Sequence, residues 1–139
     1  LEISLVRSPK AKTCSEAASM RANTFFTFSP ARRAASPPPA AAVEVSAEEL
    51  LSNAWKYAFP HGDPGEIELA VEAEGDVARL EVSDTGIPFD PTLVPPPPPP
   101  SLDGAPGGRG IHLVRGLSSS FTYRREGSRN VVTVAFRAS

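Results

Sequence analysis

Three short stretches of this chain carry side chains suited to chemistry on phosphate groups. The first holds Glu49 and Asn53, four residues apart, with Tyr57 four further on. On a helix that spacing puts a carboxylate, an amide and a phenol on one side. A carboxylate so placed can accept a proton from an attacking hydroxyl or water. An amide one turn later suits a hydrated Mg²⁺ that bridges nucleotide phosphates. The second stretch is Asp84-Thr85-Gly86. An Asp just past a strand end can accept a hydrogen bond from an amino group such as that of adenine, and Gly86 lets a ring approach the backbone. The third is Gly107-Gly108-Arg109-Gly110, leading into Ile111-His112-Leu113-Val114. Glycines before a helix leave its first N–H groups free to face an anion, with Arg109 adding charge. Taken singly, these stretches also read as a solvated helix stripe, a plain turn and a flexible loop.

The elements that must position these groups follow from periodicity. Leu50, Ala54 and Ala58 recur at spacing four, with Leu51 and Trp55 extending the apolar face, which predicts a helix over Ala40–Ala58. Pro60 and Gly62 end it. Trp55 and Tyr57 read as core and cleft wall. Ile67, Leu69, Val71 and Ala73 alternate with polar neighbours, and Ala78, Leu80 and Val82 answer them across Gly75-Asp76. That predicts a hairpin with one buried side. A short helix is expected over Ile111–Leu117. A second hairpin, Phe121–Arg125 with Asn130–Arg137, turns at Glu126 to Arg129. Its arginines, Arg124, Arg125, Arg129 and Arg137, read as a solvated face.

Near the start, Glu2–Val6 alternates like a strand. Ser15–Phe28 has helix character, although Thr24–Phe28 favours a strand. The six prolines Pro95 to Pro100 exclude regular structure and favour an extended polyproline conformation. Antiparallel strands with one polar face need helices only on the other. The expected fold is therefore an α/β (α+β) two-layer sandwich, with a mixed, mostly antiparallel sheet.

Bulk properties narrow the function. The 139 residues suffice for one domain with a real core. The net charge of −2 offers no basic surface for nucleic acid. No apolar run approaches the roughly 20 residues that span a bilayer. A lone cysteine, Cys14, points to a reducing compartment and hence the cytoplasm. His61 and His112 lack partners at metal-ligand spacing and read as surface or packing residues. No Lys follows the last glycine as in a Walker sequence, and no βαβ unit surrounds the glycines.

Taken in order, the motifs resemble the gyrase/histidine-kinase/MutL-type ATPase superfamily with its Bergerat fold. They resemble most the stand-alone anti-sigma regulatory factors, serine/threonine kinases of bacterial partner-switching systems. The resemblance rests on Glu48 to Pro60, Val82 to Pro91, Gly107 to Arg115 and Tyr123 to Val131. It implies a histidine-kinase-like ATPase domain over residues 36–139, preceded by a strand and helix segment over residues 1–35. It implies ATP and Mg²⁺ as cofactors, Glu49 as general base and Asn53 as the Mg²⁺-holding residue. Asp84 would recognise adenine with Gly86 beside it. Gly108 and Gly110, with Arg109 between them, would close the ATP lid over the phosphates. The implied partners are an anti-sigma-factor antagonist, phosphorylated on serine or threonine, a sigma factor, and a second copy of the chain. Two alternatives keep the same fold: a non-catalytic, nucleotide-gated binding module, and a detached histidine kinase catalytic domain.

Prolines lack N–H donors and are stiff, so the run Pro95 to Pro100 is poorly suited to wrap phosphates. Closure is expected to depend on Gly104 to Gly110 alone. Replacing Pro95 to Pro100 with a Gly/Ser linker should leave ATP affinity unchanged in a calorimetric titration; a large loss would overturn this.

Overall fold

The computed structural model describes residues 21–28, 39–96 and 109–138, with only the backbone described for 21–28. The elements run β1 (Arg21–Phe28), α1 (Ala40–Tyr57), β2 (Glu66–Glu74), β3 (Val77–Asp84), the one-turn 3₁₀ helix η1 (Pro91–Leu93), α2 (Gly110–Leu117), β4 (Ser120–Glu126) and β5 (Arg129–Arg137). The five strands form one sheet in the order β1-β2-β3-β5-β4. β1 runs parallel to β2, and every other pairing is antiparallel. This is the expected mixed, mostly antiparallel sheet.

Period-two patterning decides which face is covered. Ile67, Leu80, Val82, Val132, Val134 and Phe136 are buried against Leu50 and Ala54 of α1 and Ile111 and Val114 of α2. Leu80, Val114, Val134 and Phe136 are wholly buried. Each such side chain contributes about 1.5–3 kcal/mol relative to exposure. The other sheet face carries charge, with Arg124 paired to Glu81 at 3.2 Å and Arg129 to Glu68 at 2.8 Å. These pairs are partly exposed and add little stability. They keep that face wet.

Both hairpins turn on two residues whose first is glycine: Gly75 at φ 61° and Gly127 at φ 56°. Only glycine enters that region without strain, and such turns match the strand twist. The β2–β3 pairing places Glu74 opposite Val77, and the β4–β5 pairing places Glu126 opposite Arg129.

Three expectations need correction. Residues Arg21–Phe28 are a strand, not part of a helix. β-branched and aromatic residues at Thr24 to Phe28 prefer the pleated backbone, and β2 offers a full edge from Glu66 to Ala73. The rest of the expected helix, 15–20, and the strand expected at Glu2–Val6 lie outside the described residues. Trp55 is not core: it is 57% exposed. The buried stripe of α1 runs through Ser46, Leu50 and Ala54, and Trp55 falls off it. Asp84 ends β3 rather than following it, because its backbone still pairs with Asn130.

Ser46 is wholly buried, and among the described residues its hydroxyl has no hydrogen-bond partner. An unpaired buried hydroxyl is destabilising, and alanine is the better helix former. Ser46→Ala should therefore raise stability by about 1 kcal/mol in a denaturant titration. A loss would reveal a partner for the hydroxyl.

Candidate functional site

The covered face of the sheet ends in a cleft where β3 and β5 meet the C-terminal half of α1. Its walls include Asn53 and Tyr57 from α1, Ala58 just past its end, Asp84 from β3 and Asn130 from β5. Ile87, Phe89 and Pro91 close one side, and Ile111 of α2 closes another. Helical spacing carries Leu50 and Ala54 into the core, and so turns Asn53 and Tyr57 toward this opening.

Asp84 is buried to 8% exposure, and its Oδ1 accepts two hydrogen bonds. One comes from the Gly86 N–H at 2.9 Å, the other from Nδ2 of Asn130 at 2.8 Å. The carboxylate is thereby fixed in orientation as an acceptor. Thr85 turns away from it and ties to β2, with its N–H on the Glu66 carbonyl and its Oγ1 accepting the Glu66 N–H.

Asn130 was not expected from the sequence. It is 3% exposed and makes every bond its amide allows. Nδ2 donates to Asp84 and to the Ile87 carbonyl, both at 2.8 Å. Oδ1 accepts from Phe89 N–H at 3.3 Å, Tyr123 O–H at 2.9 Å and Arg125 Nη1 at 2.8 Å. Arg125 Nη1 also reaches the Gly86 carbonyl at 3.0 Å. Arg125 therefore belongs to the cleft network, not only to a solvated face. The one available signal was an Asn, a poor strand former, opening a strand.

The motif glycines are explained by space. A Cβ on Gly86 would lie 2.4 Å from the Cβ and carbonyl oxygen of Ala58, whose carbonyl also accepts the Ile87 N–H at 3.0 Å. A Cβ on Gly110 would lie 2.0 Å from Oε2 of Glu49. Glu49 is thus packed against the first residue of α2, while Asn53 opens on the cleft one turn away. Arg109 is exposed at the start of α2 with no side-chain capping bond. Gly107 and Gly108 lie outside the described residues.

Among the described residues no cluster of three or more His, Cys, Asp or Glu side chains is poised for a metal. One amide, Asn53, with Glu49 a turn away fits instead a cation that keeps most of its water, as Mg²⁺ does. A larger groove of about 640 Å³ lies on the open sheet face, walled by Glu72, Arg79, Thr122 and Arg137 among others. None of the motif residues reach it. Among the described residues no helix is long and apolar enough to cross a membrane.

Comparison with known proteins agrees with this geometry. A family model described as "Histidine kinase-like ATPase domain" matches residues 13–136. The serine/threonine-protein kinase BtrW of Bordetella bronchiseptica is 36% identical over 92 residues, which are 65% of this chain and 65% of that protein. Among solved structures, the histidine kinase domain of the Erythrobacter litoralis EL346 blue-light activated histidine kinase superposes with a TM-score of 0.56 at 19% identity, over 85% of this chain and 51% of that one. The Acinetobacter baumannii histidine kinase AdeS gives 0.53 at 18% identity, over 86% and 55%. These structural likenesses concern the fold. The matched region spans about two thirds of the first relative and half of the second.

Removing the Asn130 amide takes one partner from each of three donors and from the Asp84 carboxylate. Asn130→Ala should lower stability by about 2–4 kcal/mol, beyond one net hydrogen bond, because the buried Asp84 and several part-buried donors each lose a partner. Tyr123→Phe, which removes one donor, should cost about 1 kcal/mol. Denaturant unfolding of both variants measures this; equal effects would mean that Asn130 is not the hub.

Proposed function

The chain belongs to the histidine kinase-like ATPase domain family, and from that premise we propose that it is an ATP-binding serine/threonine protein kinase of the anti-sigma-factor type. It transfers the γ-phosphoryl group of ATP to a hydroxyl of an antagonist protein, and it sequesters a sigma factor when that antagonist is phosphorylated. It works in the cytoplasm and pairs with a second copy of itself. The observation that carries this reading is the fixed Asp84 carboxylate, which shares one cleft with Asn53, with Glu49 packed one turn behind. The name of the Bordetella relative supports the serine/threonine class.

The residues divide the work. Asp84, held on Oδ1 by Gly86 N–H and Asn130, accepts the exocyclic amino group of adenine. Ile87, Phe89 and Pro91 supply apolar walls for the ring. Arg109 and the Gly110 start of α2 face the phosphates with positive charge and N–H groups, and the motif assigns Gly108 to the same task. Asn53 would hold Mg²⁺, which would supply charge neutralisation for the phosphates. Glu49 takes the proton from the attacking serine or threonine hydroxyl as the new O–P bond forms and ADP leaves. Phosphoryl transfer needs mainly positioning and charge neutralisation, so few catalytic groups suffice.

Calorimetric titration with Mg-ATP, beside Asp84→Ala, tests the site first. Saturable binding lost in the variant is expected; a folded wild-type chain that binds nothing would overturn the reading. Glu49→Ala should keep ATP affinity within about threefold, while phosphotransfer to the antagonist falls about 10²–10⁴-fold. Undiminished transfer would remove Glu49 as the base. Binding without transfer in the wild type would favour the nucleotide-gated binding module.

A further inference from the structure

One charged side chain near the cleft is spent on backbone carbonyls. Arg115 of α2 turns its guanidinium onto η1, the single helical turn that follows the Ile87–Phe89 wall. Its Nη2 donates to the Thr92 carbonyl at 2.9 Å and lies 3.4 and 3.5 Å from those of Val94 and Pro91. Nη1 lies 3.4 Å from the Val94 carbonyl. Among the described residues no carboxylate pairs with it. One turn earlier on the same side of α2, His112 meets the Pro95 carbonyl at 2.7 Å. A carbonyl only accepts, so His112 Nε2 carries the proton there.

η1 is fixed at its other end as well. Asp90 Oδ1 accepts the Thr92 N–H at 2.9 Å and the Thr92 hydroxyl at 2.6 Å. Pro91 is buried and lines the cleft. Ile111, on the core side of α2, lines it too. Arg115 therefore ties the wall on the Asp84 side of the cleft to the helix whose first residue, Gly110, meets Glu49. A planar guanidinium with five donors can hold several carbonyls at once in fixed geometry, which a single ammonium cannot.

We propose that Arg115 is a positioning residue for nucleotide binding: it sets the distance between the base-binding wall and the phosphate-facing start of α2. The inference rests on the ATP-binding reading above. A ligand that spans both ends gains from each only when their separation is already fixed, because ordering them at binding would offset the gain. A ligand that reaches one end alone is indifferent to that separation. Arg115 touches neither Asp84 nor Asn130, and the Asp90–Thr92 bonds still hold η1 beside them, so the base-binding end loses less without it than the fixed separation does.

The experiment compares Mg-ATP, by calorimetry, with adenosine, by competition against ATP. It uses wild type, Arg115→Met, Arg115→Lys and His112→Ala, each checked for folding by thermal unfolding. Arg115→Met should weaken ATP about tenfold and adenosine by less than about twofold. Arg115→Lys should fall between, since its ammonium serves fewer carbonyls. His112→Ala, which removes only the neighbouring tie, should show a smaller loss for ATP alone, and it carries the test if Arg115→Met does not fold. Equal losses for ATP and adenosine, or no loss for ATP, would reduce Arg115 to a cap on η1 and overturn the inference. A wild-type chain that binds no ATP would instead overturn the functional reading itself.

Discussion

Three segments converge on the Asn130 side chain, and their relative placement depends on its hydrogen bonds. A primary amide buried to 3% exposure is tolerable only when its donors and acceptor are all used. Here they bind the end of β3 through Asp84, the following loop through Ile87 and Phe89, and β4 through Tyr123 and Arg125. The network also pins register. Asp84 and Asn130 are directly paired residues of β3 and β5. Slipping that pairing by one residue would turn Asp84 to the open face and leave Asn130 unpaired in the core side. Apolar neighbours such as Val82 and Val132 favour the same register, so packing and hydrogen bonding agree.

Given that register, the cleft's width depends on α1. The helix is bracketed by the two motif glycines that the structure describes. Gly86 receives the Ala58 end, and Gly110 receives the Glu49 carboxylate. Neither glycine has a positive φ, unlike Gly75 and Gly127. Their value is the missing Cβ, which lets the loop and α2 close on α1 from opposite sides. A side chain at Gly86 would press on the Ala58 backbone and push that end of α1 outward, whereas one at Gly110 would displace the Glu49 carboxylate.

This distinction bears on how much the sequence disclosed. Helices, hairpins and the covered face were legible because their signal is local: spacing four in Leu50, Ala54 and Ala58, alternation in Ile67 to Ala73, and glycine at each tight turn. Glu49, Asn53, Asp84, Gly86 and Gly110 stood out because residue types at fixed offsets matched a chemical pattern, and the structure brings Asn53 and Asp84 to one cleft. Ser15–Phe28 was ambiguous because alanines favour helix at one end and aromatic and β-branched residues favour strand at the other; pairing with β2 decides residues 21–28. Trp55 was misread because an apolar residue beside the stripe looks like part of it.

Asn130, Arg115 and Arg125 were illegible for a different reason. Their partners include backbone carbonyls and amides of Gly86, Ile87, Phe89, Thr92 and Val94, which any residue would supply. No residue type in the sequence marks a carbonyl as a partner; only the tertiary register does. Polar side chains that bind side chains leave a pattern of complementary types, whereas those that bind backbone leave none. The cleft is therefore built from two kinds of group. Groups that open on the cleft are written in residue type, and groups that hold the walls together emerge only when strands and helices are assembled. In this chain the second kind determines the geometry in which the first can act, since Asp84 owes its orientation to Asn130 and the Gly86 amide rather than to its own backbone.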